Sequence, residues 1–147
     1  MLNTGQKGDL GEEIAIEYLK KNDYKILDTN FFIWNFERNK KIAEIDIICQ
    51  KKGSFFDNLI SFFIKKKIKI VFLEVKSFFV NDLEEIVFPE RKVNLKKKKK
   101  IQKAILRWLK QNKKTIDYPW RMDLITIKIL KTDYSQYRLR YFRNILQ

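Results

Sequence analysis

The chain has 147 residues, 45% of them apolar, which fits one domain with a single core and excludes a chain disordered by composition. Its 32 Lys and Arg against 18 Asp and Glu give a net charge of +14, which favours a polyanionic partner. The alternative is a lysine-rich codon bias that carries no function. With no histidine and only Cys49, a Cys/His metal site is excluded, so a catalytic metal must take oxygen ligands, as Mg²⁺ or Mn²⁺ does.

Residues 1–11 are polar and lack the apolar core of a signal peptide. No run approaches the roughly 18 apolar residues that a membrane span requires. We therefore expect a cytoplasmic protein without a membrane span.

In the first half of the chain, apolar periodicity predicts an amphipathic helix over 8–21 and a short strand over 24–27. Residues 31–41 begin apolar and become charged, which is typical of either a hairpin arm or a loop. Two β-rich apolar runs, 43–49 and 68–76, predict further strands.

Between those two strands lies the segment 51–67, which ends in three lysines. Its aromatic and aliphatic residues recur at helical spacing: Phe55, Phe56, Leu59, Ile60 and Phe63. They indicate either a short surface helix facing a partner or a lipid interface, or an insertion that folds back on the core, which we favour.

The second half contains the clearest helical pattern, over 94–111, followed by predicted strands over 122–130 and 137–142. The order of helix, strands, helix and strands predicts an α/β fold with a mixed central β-sheet flanked by α-helices. We see no linker and expect residues 1–147 to form one domain.

Charged residues interrupt the apolar strands at specific positions. Strand periodicity places Glu74 and Lys76 on one face, about 7 Å apart along the strand, and likewise groups Glu44 with Asp46. Burying such charges is costly unless they pair or bind a metal. A cross-strand salt bridge between Lys76 and one acid is the alternative, but it leaves two acids without a partner.

The first helix supplies another acid. At 100° per residue, Glu12 lies at the border of the apolar stripe, whereas Glu13 and Glu17 point to solvent. Glu12 is therefore the helix acid able to face the strands. The alternative is an acid that is only stabilised by the helix dipole.

Five consecutive lysines, 96–100, surround the start of the second predicted helix, and most of them must be solvated. Lys97 lies four residues before Ile101 and continues the buried stripe, so it could point to a phosphate. Lys103, Arg107 and Lys110 could extend a basic, nucleic-acid-binding surface.

These residues together resemble the YraN-type family of predicted endonucleases. The resemblance rests on five motifs in order across nearly the whole chain: Gly8-x-x-Gly11-Glu12, Glu44-Ile45-Asp46, Glu74-Val75-Lys76, Val93-x-x-x-Lys97 and Arg121-Met122-Asp123. Members of this family are similar to Holliday-junction resolvases and imply a restriction-endonuclease-like fold with a PD-(D/E)xK site.

On this resemblance, Asp46 is the first acid, Glu74 and Lys76 form the (D/E)xK element, and Glu12 matches the helix-borne glutamate of resolvases. The implied activity is hydrolysis of a phosphodiester, with DNA as the expected partner. Asp46, Glu74 and the backbone carbonyl of Val75 would hold Mg²⁺ or Mn²⁺, with Glu12 as a further candidate ligand. Lys76 would orient the attacking water, and Glu44 would support the ligands.

The chain departs from the usual family pattern in four places. Ala43 replaces a glycine, Phe78 replaces an arginine, and the segments 31–41 and 51–67 are longer than usual. These departures concern substrate shape more than metal binding. A homodimer is expected by analogy with symmetric resolvases. Two alternatives remain: a nucleic-acid-binding module without turnover, and a protein-interaction role for 51–67.

Overall fold

The computed structural model describes residues 2–52, 70–86 and 95–146, with side chains described from residue 98 in the last range. Within these ranges, no helix is both long enough and apolar enough to cross a membrane. Seven elements follow in chain order: α1 Thr4–Lys21, β1 Tyr24–Asn35, β2 Lys40–Lys51, β3 Ile70–Val80, α2 Leu95–Gln111, β4 Trp120–Leu130 and β5 Tyr137–Phe142.

The five strands form one mixed sheet in the order β1-β2-β3-β4-β5. The pairs β1–β2, β2–β3 and β4–β5 are antiparallel, whereas β3 and β4 are parallel. Parallel neighbours need a crossover connection, and α2 is part of it. This is the restriction-endonuclease-like α/β architecture that the resemblance implies, and it confirms the predicted mixed sheet with flanking helices.

The sheet has an apolar core on each face. On the first face, α1 packs on alternate residues of β2, β3 and β4, among them Leu73 and Val75. On the second face, α2 packs on the intervening residues, with Phe72 in edge-to-face contact with Trp108 at 5.6 Å. The crossover topology places the N-terminal end of α2 towards the carboxyl end of β3.

The first helix begins at Thr4, four residues earlier than the predicted start at residue 8. Asn3 and Gln6 form a capping box, since each side chain accepts a hydrogen bond from the backbone N–H of the other, at 2.9 and 3.0 Å. These bonds satisfy the first helical N–H groups and stabilise the extra turn.

The first strand extends to Asn35, well beyond the predicted end at residue 27. Its polar residue Asp28 accepts a hydrogen bond at 2.9 Å from Trp108 Nε1, so the strand can continue across the helix. Residues 31–41 form a hairpin with a turn at 36–39, which decides between the two structures predicted there.

The predicted helix over 94–111 is confirmed from Leu95, the first residue described there, and the strand over 137–142 is confirmed as predicted. The strand β4 begins two residues before the predicted start at 122. The segment 51–67 lies outside the described residues from position 53 onwards. Neither alternative for that segment is therefore tested.

Candidate active site

The candidate site lies where β2 and β3 separate. These strands pair only from Cys49 opposite Val71 to Ile47 opposite Leu73. In contrast, β3 pairs with β4 along its whole length. Asp46 immediately precedes Ile47 in β2, so its carboxylate lies at the point where the two strands begin to separate.

The Asp46 carboxylate takes the place of the missing backbone pairing. Its Oδ2 accepts a hydrogen bond of 2.6 Å from the N–H of Val75. Burial and the nearby Glu74 carboxylate raise the pKa of Asp46 to about 7, although the Val75 N–H and the Lys76 ammonium oppose the shift. A cation bound here would stabilise the ionised form of Asp46, which burial and the Glu74 carboxylate disfavour.

Glu74 and Lys76 form an ion pair along β3. The Lys76 Nζ lies 2.5 Å from Glu74 Oε1, and the side chains are 46% and 7% exposed, respectively. Burial lowers the pKa of Lys76, but the hydrogen bond and charge of Glu74, together with Asp46 and Glu44, raise it overall. Lys76 is therefore protonated. Its ion pair is with Glu74 of the same strand, whereas the alternative considered from the sequence was a salt bridge to an acid of another strand.

The prediction that Glu44 and Asp46 share a face is wrong. Ile45 belongs to the core under α2, whereas Ile47 belongs to the core under α1, so the alternation of β2 changes phase at Asp46. In β1, Asn30 lies beside Asp46, between the pairs Thr29–Ile47 and Phe31–Ile45. Its positive φ of 53° shows that the backbone of β1 is distorted there as well. Asp46 therefore points towards the neighbouring strand.

Glu44 is held by Lys41, whose Nζ lies 2.7 Å from Glu44 Oε1. Residues three apart on a regular strand point to opposite faces. Here the register shifts because Ile42 is an additional residue between the pairs Ile33–Ala43 and Trp34–Lys41. The resulting bulge brings Lys41 and Glu44 to one face.

Glu12 is directed from α1 towards the same region, as the helix geometry predicts, and it is half-buried while Glu13 is exposed. Burial raises the pKa of Glu12, with Asp9 and Glu44 contributing, while a hydrogen bond to the Asn30 side chain lowers it. Sequence reasoning missed Asn30, because no spacing pattern identifies a residue that acts through a left-handed backbone.

The close approach of α1 to β3 explains how Glu12 reaches the strands. A Cβ added at Gly11 would lie 2.7 Å from the Ser77 Cβ, so only glycine permits this packing. The Ser77 hydroxyl donates a hydrogen bond of 3.3 Å to the carbonyl of Lys7 in the same helix. Gly11 thus sets the distance at which the neighbouring Glu12 faces the sheet.

The acids approach the site from both faces of the sheet. Leu73 and Val75 pack under α1, so strand alternation directs Glu74 and Lys76 to the face of α2, opposite to Glu12. Across the described ranges, no three Asp, Glu or Cys side chains form a group that could hold one metal ion. The arrangement is a pair of acids, Asp46 and Glu74, with Glu12 electrostatically coupled to Asp46.

The predicted basic residues of α2 are exposed, or their side chains lie outside the described residues. Lys103 and Arg107 are exposed on the outer side of the helix. Lys97 belongs to the first turn of α2, but its side chain lies outside the described residues. Its predicted contact with a phosphate is therefore untested.

A polar row with a cation at each end extends from Lys76 across the sheet to Arg140, and the sequence did not indicate it. Thr126 is opposite Lys76 in β4, and Arg140 is opposite Thr126 in β5. Thr126 and Arg140 line a cleft together with Glu84, Glu85, Lys128 and Arg138. Arg138 pairs with Glu84, whereas Arg140 has no acidic partner among the residues that the structure describes.

A second polar cluster surrounds Asp123, which is fully buried. Its carboxylate accepts hydrogen bonds from Arg121 Nε, from the Tyr141 hydroxyl at 2.6 Å and from the backbone N–H of Asn144 at 2.8 Å. All buried side-chain polar atoms within the described parts of the chain have a partner. The Asp123 cluster is therefore a satisfied structural network.

The fold and the separated strands with two acids and a lysine place the chain in the class of restriction-endonuclease-like α/β proteins. The family model described as "Uncharacterised protein family UPF0102" matches residues 11–127. The chain belongs to this family, the YraN family of the resemblance.

Similar proteins of the same family come from several bacteria. A UPF0102 protein of Thermodesulfovibrio yellowstonii is 34% identical over 129 residues, which cover 88% of this chain and 91% of the relative. One of Clostridium acetobutylicum is 32% identical over 140 residues, covering 95% and 93%. The chain thus spans nearly the whole length of these relatives.

Proposed function

We propose that this protein is an Mg²⁺-dependent endonuclease that hydrolyses phosphodiester bonds of DNA, with branched or junction-like DNA as its substrate. The observation that carries the proposal is the position of Asp46. Its carboxylate lies at the separation of β2 and β3, against the Val75 N–H and beside Glu74 and Lys76. This combination brings together a buried acid, a partly buried acid and an exposed cation at one point of the sheet.

The donor set fits a small hard cation. Mg²⁺ in proteins is held by one or two carboxylates and keeps several waters, which suits the pair of Asp46 and Glu74. In a β-strand the N–H and C=O of one residue point to the same neighbouring strand. Because the Val75 N–H bonds to Asp46 of β2, the Val75 carbonyl is directed to the side of Asp46 as well. When bound, the ion supplies Lewis-acid polarisation of the phosphate and a more acidic water.

Lys76 supplies a fixed positive charge. Because its pKa is raised, it acts as an ammonium that orients water and stabilises the charge that develops on the phosphate, and it is unsuited to be the base. Glu74 holds this ammonium in place through their ion pair. Glu12 adds negative potential beside Asp46, and Glu44 adds it beside Glu12 and Lys76, which strengthens the attraction of this region for a cation.

Binding of the polyanionic substrate is supported by the net charge of +14 and by the row that leads from Lys76 to Arg140. Neighbouring strands lie about 4.8 Å apart, so Arg140 is about 10 Å from Lys76 across the sheet. A cation at this distance can contact a phosphate beside the one that is cleaved. Lys97, Lys103 and Arg107 would extend the contacts along α2.

The test is cleavage of labelled junction, flap, linear duplex and single-stranded DNA, with and without Mg²⁺. We expect Mg²⁺-dependent products with the wild type, and a loss of at least about 100-fold in rate for Lys76→Ala and Asp46→Asn, as for removal of a group that stabilises the transition state. Lys113→Ala removes an exposed lysine elsewhere and should have no effect. Equal cleavage by Lys76→Ala and the wild type would refute the proposed centre.

A further inference from the structure

The hairpin formed by β1 and β2 carries an exposed aromatic surface. Phe36 in the turn is 87% exposed, Phe32 is 51% exposed and Trp34 is 37% exposed. We call these three residues the aromatic hairpin surface. Large exposed apolar side chains grouped in this way indicate an interaction site and not a stability requirement.

The alternation of β1 shows that these rings are not a displaced part of the core. Phe31 and Ile33 pack against the core under α2, so Phe32 and Trp34 point to the opposite face. The rings of Phe32 and Trp34 lie edge to face with centroids 6.5 Å apart. The surface belongs to an edge strand, since β1 is the first strand of the sheet.

Cations adjoin the rings. The Lys41 Nζ lies 5.2 Å from the centroid of the Phe32 ring, and Arg38 and Lys40 are exposed in and next to the turn. Aromatic rings alternating with cations match unpaired nucleotides, because bases stack on the rings while phosphates contact the cations. An apolar protein partner would not require this charge.

The aromatic hairpin surface adjoins the candidate active site at Glu44, on the face of the sheet from which Glu12 approaches. Phe32 is directly opposite Glu44, and Lys41 contacts both of them. Lys40, which is opposite the last residue of β1, is six positions from Asp46, about 20 Å along the strand.

We propose that the hairpin binds unpaired nucleotides of a DNA substrate by stacking their bases on Phe32, Trp34 and Phe36. This inference rests on the proposed nuclease function and names its substrate class: DNA with a single-stranded segment next to the cleaved phosphate.

The experiment measures binding by fluorescence anisotropy in EDTA, where cleavage is not required. The probes are a blunt duplex and the same duplex with a ten-nucleotide single-stranded extension. We expect Trp34→Ala with Phe36→Ala to weaken binding of the extended probe about 10- to 100-fold, the loss expected for one or two base stacks. Binding of the blunt duplex should change less than about twofold.

Two controls make the test specific. Ile116→Ala removes another exposed apolar side chain, 69% exposed, and should leave both probes unaffected. Trp34→Phe with Phe36→Tyr keeps two rings and should restore binding of the extended probe. Far-ultraviolet circular dichroism of each variant should match the wild type, because the substituted side chains are exposed.

Three results would overturn the inference. One is an unchanged affinity of the double alanine variant for the extended probe, and another is failure of the wild type to prefer this probe to the blunt duplex. The third is dissociation of a wild-type dimer by the double substitution, measured by analytical ultracentrifugation, with an equal loss for both probes; that would assign the surface to a second copy of the chain. If only the nuclease proposal is wrong, the expected binding differences will be observed in EDTA but no substrate will be cleaved with Mg²⁺.

Discussion

Asp46 and Asp123 are both aspartates within strands of the same sheet, but their surroundings are opposite in kind. Asp123 is fully buried among donors, with Arg121, Tyr141 and the Asn144 N–H bonded to its oxygens. Asp46 has one backbone donor and a second acid, Glu74, nearby. An acid surrounded by donors stabilises the fold, whereas an acid that faces another acid destabilises it until a cation binds.

We expect the largest change in stability from substitution of Asp123. Asp123→Asn places an amide among donors and leaves the Arg121 guanidinium without its counter-ion, so we expect a loss of about 3 to 5 kcal/mol in the free energy of unfolding. Urea unfolding measures it. Tyr141→Phe removes only one donor and should cost about 1 kcal/mol. A loss of less than 1 kcal/mol for Asp123→Asn would contradict the structural role.

Substitution at Asp46 should have the opposite sign. The raised pKa means that the folded protein keeps a proton that the unfolded chain releases near pH 3.8, so its stability falls as the pH rises from about 4 to about 7. Asp46→Asn removes this penalty and retains an acceptor for the Val75 N–H. We expect a gain of about 2 to 4 kcal/mol at pH 8, since one pKa unit equals about 1.36 kcal/mol.

The gain at Asp46 should disappear near pH 4, where the carboxyl group is protonated in the fold. Unfolding curves collected between pH 4 and pH 8 give the profile directly. Asp117→Asn, at an exposed position, is the matched control and should change stability little at any pH. A gain that is independent of pH, or no gain at all, would show that ionisation of Asp46 is not costly.

Two glycines of α1 sharpen the comparison through the packing that positions Glu12. Gly11→Ala forces a Cβ to within 2.7 Å of Ser77 and should cost about 1 to 3 kcal/mol while moving Glu12 away from β3. At Gly8 no heavy atom lies within 4 Å of the added Cβ, so Gly8→Ala should stabilise the helix by about 0.5 to 1 kcal/mol. Thermal unfolding of the two variants measures both signs, and equal effects would exclude the close contact.

Much of the site could be predicted from periodicity. The helical angle selects Glu12 over Glu13, and strand alternation places Glu74 with Lys76, because both follow from regular backbone geometry. The position of Asp46 could not be predicted in the same way. Its strand changes phase there, level with the left-handed Asn30, and neither distortion has a signal in residue spacing.

The same limit applies to the fold. The predicted helices and the regularly apolar strands are present, although α1 begins four residues earlier than its pattern predicts. The pattern predicts β1 only over 24–27, and the strand continues past the polar residue Asp28. Its hydrogen bond to Trp108 comes from a helix 80 positions away in the sequence. Likewise, Lys41 and Glu44 form a pair only because Ile42 is an additional residue in β2. Contacts between distant elements, not local preference, decided these features.

The most direct test of the central claim is the thermal unfolding of wild type and Asp46→Asn at pH 8, with MgCl₂ or with NaCl of equal ionic strength. We expect Mg²⁺ to raise the Tm of the wild type by about 4 to 8 °C at saturation, from about 2 kcal/mol of binding free energy. Asp46→Asn should begin from a higher Tm and show little further rise with Mg²⁺. An equal rise for both proteins, or none for the wild type, would contradict the assignment of Asp46 and Glu74 as a cation site.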